Sequence, residues 1–179
     1  MDFAVGVLDT AASRDSQLVR RLTELINDVY AEAEEGLWND GVTRTTTTEV
    51  AELIAAGQIA AASSTDGHIV GSVRIRTVSE GTSEFGMLVS APDLRGHGIG
   101  ATLVEFAEQH SRASGRHAMQ LELLVPRTWK HPTKEHLKSW YDRIGYRRIA
   151  TRSVDRAYPQ FAGLLATPCD IEVHEKSLL

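Results

Sequence analysis

The sequence holds a single cysteine, Cys169, so no disulfide can form within the chain and nothing implies a secretory compartment. A buried, incidental thiol is the expectation there, following Pro168 near the C-terminus, rather than a nucleophile. No apolar run approaches the roughly 20 residues of a membrane span. The opening MDFAVGVLDT lacks the basic stretch of a signal peptide, so the expected compartment is the cytoplasm, with no membrane partner. Positive charge is not in excess. The formal net charge is −5, which argues against a nucleic-acid partner. Metal-ligand spacing is absent too. His131 and His136 stand five apart with Pro132 between them, where a pair on one helix face prefers four, so no metal is expected and both rings read as exposed. Repeats and low-complexity linkers are lacking. The most biased stretch, TRTTTTEV, reads as a helix start with Thr46 and Glu49 at capping-box spacing.

What remains is an ordinary globular composition. A chain of 179 residues suffices for one domain, 1–179, with a sizeable core. Short strands are expected at FAVGVL, QIAAASS, HIVGSVRIRTV and SEFGMLVS. A long helix from Ser13 to Glu35 carries Leu18, Leu22, Leu25, Ile26, Val29 and Ala33 on one face, and a short one lies near 48–56. A helix after Ile99 uses Ile99, Leu103, Phe106, Ala107 and His110 as its inner face. Strand AMQLELLV, helix KEHLKSWYDRIG and strands YRRIATRSV and CDIEVHEKSL complete the chain. Three successive strands in the middle favour a mixed sheet, with helices on both faces, over pure Rossmann alternation.

The stretch PDLRGHGIGATL turns from the fourth strand into a helix. Glycine costs backbone entropy and packs nothing, so Gly96, Gly98 and Gly100 imply that the main chain itself is used there. The first turn of a helix has unpaired N–H groups and a favourable dipole for an anion. Glycines let a phosphate approach those amides, and Arg95 adds a permanent, forked cation. A pyrophosphate is the natural ligand. A phosphate-binding P-loop needs Lys then Ser or Thr after the last glycine, whereas Ala101 and Thr102 follow here. The G-x-G-x-G spacing also departs from the dinucleotide fingerprint. Glu122, about twenty residues on, leaves a dinucleotide-dependent oxidoreductase as an alternative.

LRGHGIGATL resembles the acyl-CoA signature of the GCN5-related N-acetyltransferases (GNAT), R/Q-x-x-G-x-G/A, with Arg95, Gly98 and Gly100 at the signature positions. FGMLVSAPDL resembles that family's fourth strand and turn. WYDRIGYRRI, from Trp140 to Ile149, resembles its later helix–strand motif. The resemblance implies an α/β fold with a mixed, mostly antiparallel central sheet of about seven strands. It implies an N-acetyltransferase moving an acetyl group from acetyl-CoA to a primary amine of a small molecule. An acyl-CoA-binding regulatory module without catalysis and a protein or peptide N-acetyltransferase stay open. A dimer is common in the family, but no feature of this sequence establishes one.

Carried over by position, the fourth and fifth strands splay. Met87, Leu88 and Val89 then offer main-chain bonds to pantetheine. Amides from Arg95 through Gly96, His97, Gly98, Ile99 and Gly100 to Ala101 take the pyrophosphate, and the N–H near Val89 serves the carbonyl oxygen. Tyr141 matches the tyrosine that protonates the leaving thiolate. Seven residues before it the family often has asparagine; here Lys134 stands there. Glu84 and Glu122 are the candidates for general base, with a water chain as the alternative. Glu34, Glu35 and Trp38, with Asp40 nearby, make an acidic and aromatic stretch suited to a cationic amine, and Arg44 to a carboxylate. Segments 126–133 and 156–168 are expected to help line the acceptor pocket.

Overall fold

The structure, a computed structural model, describes residues 2–179. Its main elements are β1 (Phe3–Val7), α1 (Ser16–Ala33), α2 (Thr47–Ala55), β2 (Ile59–Ser64), β3 (Ile69–Thr77), β4 (Thr82–Ser90), α3 (Ile99–Ala113), β5 (Ala118–Pro126), α4 (Pro132–Arg143), β6 (Arg147–Ser153) and β7 (Cys169–Ser177). This order agrees with the periodicities read above. Two four-residue helices, α5 (Val154–Ala157) and α6 (Pro159–Ala162), lie between β6 and β7 and were not expected. The strands form one sheet in the order β1-β2-β3-β4-β5-β7-β6. The β4–β5 pair is parallel and the other named pairs are antiparallel.

Helix α1 starts three residues later than expected. The Asp15 carboxylate accepts from the amides of Gln17 and Leu18, each at 3.0 Å, and so caps the helix at Ser16. Thr10–Arg14 form a separate 3-10 turn capped by Asp9. Both helix types place apolar residues three to four apart, so spacing alone does not separate them.

The sheet is covered on both faces. Val19, Leu22, Ile26, Val50 and Ile54 of α1 and α2 pack with Ile59, Met87 and Val89. Ile99, Leu103, Ala107 and Tyr141 of α3 and α4 pack with Phe85, Met119 and Leu121 on the other side. Each fully buried Val, Leu, Ile, Met or Phe among them contributes roughly 1.5–3 kcal/mol. One expected core residue is corrected. His110 is exposed and stacks on half-buried Phe106, while Val104, Glu108 and Ser111 turn inward. Glu108 is tolerated there because the Tyr146 hydroxyl donates to it at 2.9 Å and Lys176 Nζ at 2.8 Å. Cys169 is buried, and burial first, then Glu34, pushes its thiol pKa up to about 11, which leaves it unreactive. Among the described residues no helix is long and apolar enough to cross a membrane.

Candidate active site

Strands β4 and β5 pair only at Thr82↔Ala118, Ser83↔Met119 and Glu84↔Gln120, and then part. Beyond Glu84 the β4 edge facing β5 has no strand beside it. On its other edge, the β3 register shifts between Ser72↔Val89 and Arg74↔Gly86, which leaves one extra residue on β4. Met87 sits there with φ +49, a left-handed conformation rare outside glycine. The extra residue changes which side each neighbour faces. Phe85 and Leu88 pack with the α3/α4 core, whereas Met87 and Val89 pack with α1 and α2. The three strand residues expected to offer main-chain bonds therefore lie at a bulge against β3, on a strand whose opposite edge is open, where free N–H and C=O groups collect.

The glycine corner follows β4 directly. Gly96 and Gly98 have φ +86 and +80, and Gly98 caps α3 without a side-chain hydrogen bond. A Cβ built at Gly96, Gly98 or Gly100 would meet nothing within 4 Å, so the approach is open. Residues 95–98 are exposed, while Ile99 is buried and anchors the first turn of α3. Gly71 of β3 lets that turn sit close. A Cβ there would lie 2.7 Å from Ile99 Cγ2 and 2.8 Å from the Val89 carbonyl oxygen. Arg95 Nη2 pairs with Glu32 of α1 at 2.5 Å, both side chains more than half exposed. His97 keeps its ring nitrogen Nδ1 3.1 Å from the Leu94 carbonyl oxygen.

Tyr141 stands behind the splay, its ring centroid 6.0 Å from Phe85 and 4.9 Å from Trp140. Tyr146 commits its hydroxyl to Glu108, but the Tyr141 hydroxyl has no protein partner among the described residues and is not sealed from solvent. Burial raises the Tyr141 pKa above its ordinary value, with a smaller contribution from Tyr30. The O–H therefore stays protonated throughout the neutral range. Sequence reasoning missed Tyr30, which sits inconspicuously on the apolar side of α1. Burial raises its pKa, while Arg44 and the Met87 main chain pull it the other way. Arg44 lies with its guanidinium carbon 5.1 Å from the Tyr30 ring centroid. Tyr30, Tyr141 and the Met87 bulge thus share one neighbourhood.

The two candidate bases have different surroundings. Arg76 holds Glu84 Oε1 at 2.7 Å from Nε and 2.5 Å from Nη2, and Gln120 donates to Oε2 at 2.7 Å. Glu122, two residues past the last β4–β5 pair, accepts a hydrogen bond from the Tyr158 hydroxyl and lies 3.9 Å from Arg152 Nη1. It also lines an open cavity of about 850 Å³ together with Arg127, Arg152, Arg156 and Tyr158. Of the segments expected around an acceptor, 126–133 and 156–168 both reach this cavity, through Arg127 and through Arg156 and Tyr158.

The expected acceptor residues of the α1–α2 loop lie elsewhere. Glu34 is buried, with Lys134 Nζ 2.6 Å from Oε1 and the Trp38 indole N–H 2.6 Å from Oε2. Lys134, at the family's asparagine position, is itself buried. Glu35 is exposed, and its carbonyl oxygen lies 3.1 Å from His131 Nε2. Asp40 is exposed too. His131 corrects an expectation. It is buried at the start of α4 beside Trp129, because the α1 terminus covers it, whereas His136 is exposed. Trp38 forms a bridge to Leu165, and the Asn39 and Ala166 amides donate to the Leu164 and Leu37 carbonyls, each at 2.9 Å. The 37–39 loop and the 164–166 segment are therefore tied to each other.

A family model described as an acetyltransferase (GNAT) domain matches residues 55–148. No curated protein matches the sequence. Among solved structures, the chain resembles yncA of Salmonella typhimurium, provisionally assigned as an acetyltransferase and solved with its cofactor acetyl-CoA. The identity is 16% over 100% of this chain and 95% of that one, with a TM-score of 0.67. N-acetylglutamate synthase from Neisseria gonorrhoeae, complexed with coenzyme A and N-acetyl-glutamate, is 13% identical over 100% of this chain and 36% of that one, TM-score 0.67. A chain of the NatC complex bound to Gag peptide and CoA is 16% identical, each chain covered in full, TM-score 0.68. At these identities the likeness is one of fold.

Proposed function

The chain belongs to the GNAT acetyltransferase family, and on that premise we propose that it transfers the acetyl group of acetyl-CoA to a primary amine of a small molecule, by direct attack in a ternary complex and within one acyltransferase domain spanning 1–179. The observation that carries this reading is the side-chain-free corner at Gly96, Gly98 and Gly100, opening beside the splayed β4 edge. These residues fit the cofactor. The amides between Arg95 and Ala101 suit a diphosphate, and the unpaired edge at Met87–Val89 suits the amides of pantetheine as an added strand would. Bound there, acetyl-CoA supplies an activated thioester carbonyl.

The chain's own groups then divide the proton work. Glu122 takes the proton that the attacking amine must lose, directly or through one water. Its carboxylate faces the cavity, whereas Glu84 is neutralised by two contacts from Arg76. A β4 main-chain N–H near Val89 donates to the carbonyl oxygen as charge develops. Tyr141, neutral and without a protein partner, donates its proton to the departing sulfur. Arg95 exchanges its exposed partner Glu32 for phosphate oxygens. Such exposed pairs are screened by solvent and weak, so the exchange costs little.

A peptide acceptor would need a groove open to an extended chain. The ties between the 37–39 loop and the 164–166 segment support a small acceptor instead. The lone buried thiol suits a reducing, cytoplasmic setting. Calorimetric titration with acetyl-CoA, followed by an amine panel scored by released CoA thiol, tests the reading. Binding and turnover are expected, and no heat at millimolar acetyl-CoA would remove it.

A further inference from the structure

The cavity beside Glu122 carries charge of both signs, and the signs are not evenly spent. It lies against β5, the end of β6, α5 and the start of β7. Of its three arginines, Arg127 is taken up by Asp170 at 2.7 Å and Asp155 at 3.9 Å. Arg152 has only Glu122, at 3.9 Å, and is more than half exposed. Arg156 forms no ion pair among the described residues. Arg156 therefore lines the cavity without an anion, and Arg152 has only its 3.9 Å contact with the carboxylate assigned to the amine.

A simple amine bound here as its ammonium ion competes with Arg152 for Glu122 and leaves Arg156 without an anion. An acceptor that brings its own anion satisfies both sets. Guanidinium forks match carboxylate geometry better than any other side chain. The close approach of Arg152 to Glu122 further requires the anion to sit near the reactive nitrogen, not at the far end of a chain. Resting on the acetyltransferase reading above, we propose that the acceptor is zwitterionic, an α-amino acid or an analogue in which the carboxylate neighbours the amine. Glu122 and the Tyr158 hydroxyl would face the amine, Arg152 the adjacent carboxylate, and Arg156 a further anionic or polar group. At about 850 Å³ the cavity leaves room for a substantial side chain.

The experiment compares each of several α-amino acids with its decarboxylated amine, using CoA-thiol release by the wild-type protein and by Arg152→Met, with acetyl-CoA affinity measured by calorimetry. The expected result is a kcat/KM at least about tenfold higher for amino acids, the scale of one charged hydrogen bond. Arg152→Met is expected to raise KM for amino acids by a similar factor and to erase most of their advantage over the decarboxylated amines, with acetyl-CoA affinity unchanged. Equal use of both acceptor sets by the wild type, or an equal loss for both in the variant, would overturn the zwitterion assignment and leave the acetyltransferase standing. Failure of the wild type to bind acetyl-CoA would overturn both.

Discussion

Replacing Tyr141 with phenylalanine removes one oxygen atom from a side chain that is otherwise packed among Phe85, Trp140 and Tyr146. That oxygen makes no hydrogen bond to the protein among the described residues, so its loss strands no partner. The folding cost is expected within about 1 kcal/mol, which for a chain of this size is a Tm change of about 2–4 °C or less. The catalytic cost is of another order. A positioned acid contributes about 10²- to 10⁴-fold, or roughly 3–5 kcal/mol of transition-state stabilisation. The affinity for acetyl-CoA, held mainly by main-chain groups, should barely move. Because burial lifts the Tyr141 pKa above its ordinary 10.0, wild-type kcat should show no descending limb from this group between pH 6 and about 9. The assay pairs CoA-thiol release with thermal unfolding and calorimetry. A variant that keeps kcat within a few-fold would reduce Tyr141 to a packing residue. A large fall in Tm would show that its oxygen is structural after all.

Three further outcomes are expected. Gly71→Ala forces a methyl group to 2.7 Å from Ile99 and 2.8 Å from the Val89 carbonyl oxygen; it should cost about 1–3 kcal/mol and weaken acetyl-CoA binding, and wild-type values in both melting and calorimetry would refute the close seating of α3. Lys134→Met leaves the buried Glu34 carboxylate without its cation and should cost about 3–5 kcal/mol, with Glu34→Gln in the same chain regaining much of the loss in thermal unfolding. Tyr158, lifted to about 12 by burial and then by Glu122, adds stability that is complete below its ordinary pKa of 10.0 and is lost as pH climbs through about 12; denaturant midpoints followed from pH 9 to 12 should decline less steeply in Tyr158→Phe, and an unchanged slope would refute the assignment.

The fold was legible where the signal was periodic. Alternation and 3.6-residue spacing marked the main strands and helices in order, and the glycine triplet marked the corner between β4 and α3. What could not be read was set by partners distant in the chain. Arg76 finds Glu84 across a strand pair, Lys134 finds Glu34 a hundred residues away, and Tyr158 reaches back to Glu122. Nothing in the local sequence around His131 signals burial, but the α1 terminus covers it. The bulge was hidden as well, since the left-handed residue is Met87 and not the adjacent Gly86. Glu122 stood out as a carboxylate inside an apolar run, and the structure resolves that tension with a hydroxyl partner and an open cavity.

The odd residue in β4 works like an added stitch in a two-sided weave. Ahead of it and after it, alternate side chains go to alternate layers, but the two halves run out of phase. Substituting any one thread alters a single contact. Were the strand pulled regular with every thread kept, Leu88 and Val89 would change places between the layers; dropping the Met87 thread leaves both where they are and removes only the stitch. The two halves of β4 should thus keep their layers when Met87 alone is lost, whereas any change that lets the strand run regular at full length would misplace Leu88 and Val89.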